Sequence, residues 1–114
     1  MVTETRKLSA RERKILERMF SQLSCGSDEL RNQLKAAKVS TIDEEGSVRF
    51  SVDFADRVSC ISERVPVTAI YDDKDGITIY LLLHIVEGKL WELEVYKADG
   101  SPIIKRPDAE KLSF

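Results

Sequence analysis

One short stretch of the chain contains the residues best suited to acid–base chemistry. His84 is the only histidine, and Glu92 and Glu94 follow it on what we predict to be the neighbouring strand. An imidazole beside a carboxylate can accept and donate protons, so this trio is the candidate for catalysis or small-ligand binding. The sequence offers no nucleophile motif beside it, and one imidazole with one carboxylate is too small a ligand set for zinc. We therefore predict no metal and no cofactor, and the simpler interpretation is a histidine–glutamate pair on a sheet surface.

A second pattern, "YDDKDGITIYLL", has the acidic residues of a calcium loop without its spacing. Asp73, Asp75 and Gly76 match the middle of an EF-hand loop. The first and last ligand positions, however, would fall on Tyr71 and Leu82, and neither supplies a carboxylate. A β-turn rich in Asp and Gly explains the stretch, so we predict a turn there.

Length and charge exclude several classes of partner. The chain has 114 residues, enough for one domain spanning 1–114, and its net charge is −2 at pH 7. That balance provides no overall basic field for nucleic acid or an anionic membrane. The longest apolar run, the leucines at 81–83, is far short of a membrane span, and no secretory signal is visible. We predict a cytoplasmic protein with no nucleic-acid partner and no membrane partner.

Cysteine usage agrees with that location. Cys25 and Cys60 are far apart in the sequence, and neither belongs to a CxxC or Cys/His motif. We therefore predict two reduced, mostly packed thiols, with no zinc site and no disulfide.

Two amphipathic helices are expected near the start of the chain, within about 9–38. In the first, Ser9 and Glu12 form a capping-box pattern that marks the helix start. Apolar residues recur at helical spacing behind this cap: Ile15, Leu16, Met19, Phe20 and Leu23. A second, shorter helix begins at Ser27 or Asp28.

From Val39 onward the apolar period changes to 2, which predicts a sheet over about 39–104 and an irregular tail over 105–114. The stretch 54–63 fits either a strand extension or a loop. Isolated glycines separate three longer strands, near 65–72, 77–85 and 89–97. The predicted fold class is α+β, with two N-terminal helices packed on one face of an antiparallel β-meander of about five strands.

Turn chemistry decides which side chains share a face. We expect a three-residue loop ending at Gly76 and another ending at Gly88. A two-residue loop at the second position would put Glu92 and Glu94 inside, where unpaired charge is costly. Three-residue loops instead give an inner face that suits the helices: Val65, Val67, Ala69, Ile79, Leu81, Leu83, Trp91, Leu93 and Val95.

The opposite face mixes aromatic, aliphatic and charged residues, and we predict that it binds a partner. The predicted partner-binding residues are Ile70, Tyr80, Leu82, His84, Leu90, Glu92, Glu94 and Tyr96. The expected function is that of a non-catalytic interaction protein, which binds another protein or a second copy of itself. The alternative is a small-ligand-binding protein or an enzyme that uses His84 with Glu92 or Glu94.

The stretches "LSARERKILERM", "RVPVTAIYDDKDG" and "LLLHIVEGKLWELEVYKADGSPI" resemble a family of small, uncharacterised bacterial proteins over nearly the whole chain. The resemblance implies a bacterial source and a fold of two helices followed by a meander, and it brings no function with it. In size, acidity and plan the chain is also similar to small immunity proteins that neutralise toxins, which is a fold-level analogy.

The stretches "LSARERKIL" and "SDELRNQLKAAKVST" resemble the first part of the helix-turn-helix of LuxR-type regulators, over about 8–41. In that family a recognition helix follows, whereas this sequence continues as "IDEEGSVRFSVDF", which is acidic and then strand-like. Because no helix follows to enter the major groove, we do not extend the resemblance to DNA binding.

Overall fold

The computed structural model describes residues 4–53 and 57–114, and it confirms the α+β fold class. Two helices precede most of the sheet: α1 spans Ala10–Phe20 and α2 spans Ser27–Ala36. The strands are β1 (Arg6–Lys7), β2 (Lys38–Thr41), β3 (Val48–Ser51), β4 (Val67–Asp72), β5 (Thr78–Val86) and β6 (Lys89–Lys97). A short 3₁₀ helix, Ala109–Lys111, lies in the tail. Within the described ranges, neither α-helix is long and apolar enough to cross a membrane.

These strands form one antiparallel sheet in the order β1-β2-β3-β6-β5-β4. Six strands are described where about five were expected, and one of them is the two-residue β1 at the edge. β4, β5 and β6 follow one another as a meander, but β3 pairs with β6. The connection from β3 to β4 therefore passes the β5–β6 turn, where Ser59 N–H donates to the Gly88 carbonyl (2.9 Å). Within the uncertain stretch, residues 57–63 contain no strand, and 54–56 lie outside the described residues.

The start of α1 follows the sequence pattern closely. Ser9 Oγ accepts the N–H of Glu12 (3.1 Å), and the Glu12 carboxylate accepts the N–H of Ser9 (2.8 Å). This capping box, which was predicted, satisfies two amides that the first helical turn leaves without a partner. Most of the predicted apolar stripe is buried in one core with the inner face of the sheet: Ile15, Leu16, Met19 and Phe20.

The β4–β5 hairpin has the expected register. Tyr71 pairs with Ile79 and Val67 with Leu83, and Gly76 has the positive φ (81°) that the three-residue loop requires. The apolar residues at alternate positions of β4 and β5 therefore face the helices and are buried.

The β5–β6 hairpin differs from the expected register. Its loop has two residues, Glu87 and Gly88, whose positive φ angles (53° and 77°) are those of a type I′ turn. The strand register then shifts between His84 and Ile85, and Trp91 is the residue left without a partner. This is a β-bulge, in which one extra residue of β6 is accommodated.

The bulge exchanges the environments of two residues. The prediction that Trp91 lies in the core is wrong, because this side chain is 38% exposed. The prediction that Leu90 lies on the outer face is also wrong, because Leu90 is buried at 2% exposure. Beyond the bulge, the two-residue loop and the one extra residue together have the same effect on side-chain direction as a three-residue loop. Glu92 and Glu94 therefore stay off the inner face, as predicted.

The two cysteines form a disulfide, Cys25–Cys60, so the expectation of two reduced thiols is wrong. The bond joins the α1–α2 connection to the segment before β4, and the two Cα atoms are 6.6 Å apart. Their sequence separation of 35 gave no spacing signal, since only the folded chain brings these loops together. Disulfides persist mainly in oxidising compartments, so this finding removes one support for a cytoplasmic location, which stays a prediction.

Candidate functional site

The outer side of the sheet collects every predicted partner-binding residue except Leu90. Cross-strand pairs place Tyr80 between Ile70 and Tyr96, with the other residues in the rows beside them. Both described helices pack on the other side, so no helix in this part of the chain covers these side chains. We define the outer face as Ile70, Tyr80, Leu82, His84, Glu92, Glu94 and Tyr96, together with Trp91 from the bulge.

His84 lies at the centre of a hydrogen-bonded group on this outer face. Its Nε2 is 2.8 Å from Oε1 of Glu94, and Nε of Arg64 donates to its Nδ1 (3.1 Å). A ring nitrogen that accepts from a guanidinium carries no proton, so the proton of the neutral ring is on Nε2 and is donated to Glu94. Both ring nitrogens are therefore hydrogen-bonded within the chain.

Glu92 is paired with a different cation. Arg49 lies opposite it in the β3–β6 register and donates to its Oε1 through Nη2 (2.9 Å) and Nε (3.3 Å). The same guanidinium stacks on the Trp91 ring, with Cζ 4.5 Å from the ring centroid. The bulge that turns Trp91 outward thus completes a Trp–Arg–Glu group at this end of the outer face.

His84, Glu92 and Glu94 lie close enough together to be considered as a cation site. One ligand atom from each residue falls within 4.8 Å of the others. A histidine that ligates a metal normally donates its second N–H to an acceptor, but here the second nitrogen faces the donor Arg64. Glu92 is already paired with Arg49, so two guanidinium groups oppose a bound cation. The geometry favours a hydrogen-bonded group that is neutralised within the chain.

The other end of the outer face is aromatic and aliphatic. The rings of Tyr80 and Tyr96 stack across the strands, with centroids 5.1 Å apart and planes 16° from parallel. Beside them, Ile70 exchanges two backbone hydrogen bonds with Ser113 of the tail (2.9 and 2.8 Å). This pairing occupies the β4 edge at Ile70.

Sequence reasoning missed three members of this site: Arg49, Arg64 and Trp91. The alternation of β3 does put Arg49 on the side away from the core, but strand order in the sequence does not reveal that β3 pairs with β6. Arg64 precedes β4, where no strand pattern applies. The place of Trp91 depends on a bulge, and the Glu87-Gly88 dipeptide was the signal that a two-residue turn was possible.

A comparison with protein families found a match that spans residues 5–107 and is described as "Domain of unknown function (DUF6984)". The matched range contains both α-helices and all six strands. No curated protein shows significant similarity to the chain. No solved structure does so either. The prediction of an uncharacterised family is thus confirmed, and the bacterial source stays a prediction. With nine-tenths of its length matched, the chain belongs to the family defined by this domain of unknown function.

Proposed function

We propose that the protein is a non-catalytic interaction module whose outer face binds the outer face of a second copy. The observation that carries the proposal is a set of large side chains exposed on a sheet face without a covering helix in the described ranges: Ile70 (38%), Trp91 (38%) and Tyr96 (41%). Large aromatic and aliphatic side chains exposed on one uncovered sheet face are typical of interaction sites. Aromatic side chains and arginine are enriched in the centres of protein interfaces.

The charges of the outer face support a second copy as the occupant. Glu92 is paired with Arg49, and the Arg64–His84–Glu94 chain contains one cation and one anion. Two such faces can approach without an unpaired like charge, and a two-fold axis would bring the same patch of each copy together. The carboxylates of Glu92 and Glu94 already have partners within the chain.

The similarity to immunity proteins suggests a variant of this proposal in which the outer face binds a different protein and not a second copy. In that form a toxin would occupy the same residues, and a one-to-one complex disrupted by outer-face substitutions would support it. The enzyme or ligand-binding alternative, with His84 and Glu92 or Glu94, has less support because both ring nitrogens of His84 are already hydrogen-bonded.

The substitution Tyr96→Glu tests self-association. We expect the wild-type protein to form a concentration-dependent dimer in sedimentation velocity and the variant to remain a monomer. An unpaired carboxylate buried in the interface would weaken association by about 3 kcal/mol or more. Tyr96 is 41% exposed in the single chain, so the variant should remain folded, with its unfolding temperature lowered only by the loss of the stack on Tyr80.

A matched control is Ile42→Glu, which places the same charge at an apolar residue that is 47% exposed between β2 and β3. This variant should dimerise as the wild type does. A wild-type protein that is monomeric at every concentration, or a dimer that persists in Tyr96→Glu, would contradict the proposal.

A further inference from the structure

A second surface, separate from the outer face, gathers positive charge. The start of α1, the β4–β5 turn and the tail enclose a groove of about 550 Å³. Five basic side chains line this groove: Arg11, Lys14, Lys74, Lys105 and Arg106. Among the lining residues that the structure describes, Asp108 is the one acidic residue. In a chain whose net charge is −2, this is a marked local excess of cations.

The charged ends of these five side chains have no ion-pair or hydrogen-bond partner among the residues that the structure describes, in contrast to several other arginines. Arg6, Arg31 and Arg49 each form an ion pair with a glutamate. In the groove, Asp108 uses its carboxylate to accept the N–H of Glu110 (3.2 Å). Like charges around one hollow repel one another, and an anion that entered the groove would relieve that repulsion.

A buried carboxylate holds the walls of the groove in place. Asp73 accepts the backbone N–H groups of Lys74, Ile104 and Lys105, each at 2.8 Å, and it also accepts Nζ of Lys97 (2.9 Å). One fully buried side chain thus sets the backbone positions of two groove lysines on different segments. Rigid positioning of this kind reduces the entropy that a ligand must remove on binding.

We propose that this basic groove binds a compact multivalent anion, namely the oligophosphate group of a small soluble molecule. Guanidinium groups match phosphate oxygens in a bidentate manner, and lysine ammonium groups act on them as point charges. A volume of about 550 Å³ lies within the range of small-molecule sites. This proposal does not depend on the outer face.

Acidic residues on both flanks favour a compact anion over an extended one. Glu110 follows Asp108 beyond one end of the groove. At the other end a neighbouring cleft, which shares Arg11 and Arg106 with the groove, is lined by the acidic run 43–45. A nucleic-acid strand long enough to leave the groove would meet these carboxylates and be repelled.

Isothermal titration with tripolyphosphate at low ionic strength tests the proposal. We expect saturable binding that weakens as salt is added, because the ions screen exposed charges. The double substitution Arg11→Gln and Arg106→Gln should weaken binding by at least about tenfold, the effect of losing one charge-assisted hydrogen bond. Lys38→Gln, which removes an exposed cation on β2 outside the groove, should leave the affinity unchanged.

Two further measurements separate the possible outcomes. Circular dichroism should show both variants folded, and Lys74→Gln alone provides a milder second test of the groove.

Cosedimentation with phosphatidylcholine vesicles containing phosphatidic acid addresses lipid phosphate as the source of the anion. Binding to the vesicles without binding to tripolyphosphate would overturn the assignment to a soluble ligand. No binding to either probe, or equal weakening by Lys38→Gln, would overturn the groove itself.

Discussion

Gln33 of α2 joins three separate parts of the chain through one buried amide. Its Nε2 donates to the carbonyls of Arg57 (2.9 Å) and Gly88 (3.1 Å), and its Oε1 accepts the N–H of Leu90 (3.0 Å). It thereby links the helix to the β3–β4 connection and to the β5–β6 turn. The side chain is fully buried, and nothing in the pattern of α2 distinguished it from an ordinary polar residue.

We expect Gln33→Leu to lower the free energy of unfolding by about 2–4 kcal/mol, because buried backbone groups that lose their partner each cost about 1–3 kcal/mol. Urea denaturation followed by circular dichroism measures the change. The neighbouring Asn32 is exposed, so Asn32→Leu should alter the stability by no more than about 0.5 kcal/mol. Equal stabilities of the two variants would show that the three hydrogen bonds contribute nothing.

The buried pair Asp73–Lys97 makes stability depend on pH. Burial acts to raise the pKa of Asp73, but the Ile104 N–H, the Lys97 ammonium and further backbone donors outweigh it and hold that pKa well below its usual range. Burial acts to lower the pKa of Lys97, but its hydrogen bonds to Asp73 and Asp75 raise it above its usual value. Burial and then the charge of Asp73 raise the pKa of Tyr71 to about 12.

A carboxylate with a lowered pKa stabilises the fold above its unfolded pKa of about 4, and this contribution is lost as the pH falls through the folded pKa. We therefore expect Asp73→Asn to be least stable relative to the wild type near neutral pH. The gap in unfolding free energy should narrow as the pH falls below about 4. Groups with raised pKa values, here Lys97 and Tyr71, stabilise below about pH 10, and their contribution is lost as the pH rises further.

Denaturation at a series of pH values measures both limbs of this curve. Glu44→Gln removes an exposed carboxylate and serves as the control, which should follow the wild-type curve. A gap between Asp73→Asn and the wild type that is constant from pH 7 to strongly acidic solution would contradict the assignment of the acid limb to Asp73.

Among the elements, the β5–β6 hairpin is the one in which turn residues predicted the face of the side chains but not the register of the strands. The parity of Glu92 and Glu94 was predicted correctly because it follows from the cost of burying charge, whatever the loop length. The strand register was not predicted correctly. A two-residue loop with a bulge and a three-residue loop both put the same side chains on the outer face beyond residue 91, so the cost of burying charge does not distinguish them. The bulge lies where the β3–β4 connection crosses the hairpin: a Cβ on Gly88 would lie 2.7 Å from the Ser59 carbonyl oxygen.

The Cys25–Cys60 disulfide closes a loop between two such connections, so its reduction should destabilise the fold. The separation of 35 residues corresponds to at most about 4 kcal/mol in the chain-entropy description. We expect dithiothreitol to lower the urea midpoint of unfolding of the wild type. The urea midpoint of the double variant Cys25→Ser, Cys60→Ser should be the same with and without dithiothreitol. Free thiols titrated in the unreduced, unfolded wild type would show that the bond does not form.

At the scale of the whole molecule, the sheet separates two surfaces of different character. The side with the helices and the tail contains the core and, at one end, the basic groove. The outer face has paired charges and exposed aromatic side chains. Substitutions on one surface should therefore leave the other unaffected, and the two proposals can be tested independently.

The features that depend on local spacing could be predicted from the order of the amino acids alone. The capping box at Ser9, the helical stripe of α1, the β4–β5 register and the α+β class all follow from periods of 3.6 and 2 and from turn residues a few positions apart. For the same reason most of the outer face could be named in advance.

The features that join distant residues became visible in the folded chain. These include the pairing of β3 with β6, the disulfide, the bulge that exchanges Leu90 and Trp91, and the convergence of five basic side chains on one groove. Each depends on which loops cross in space, and packing between segments far apart in the chain sets that energy. A local pattern contains no information about such contacts.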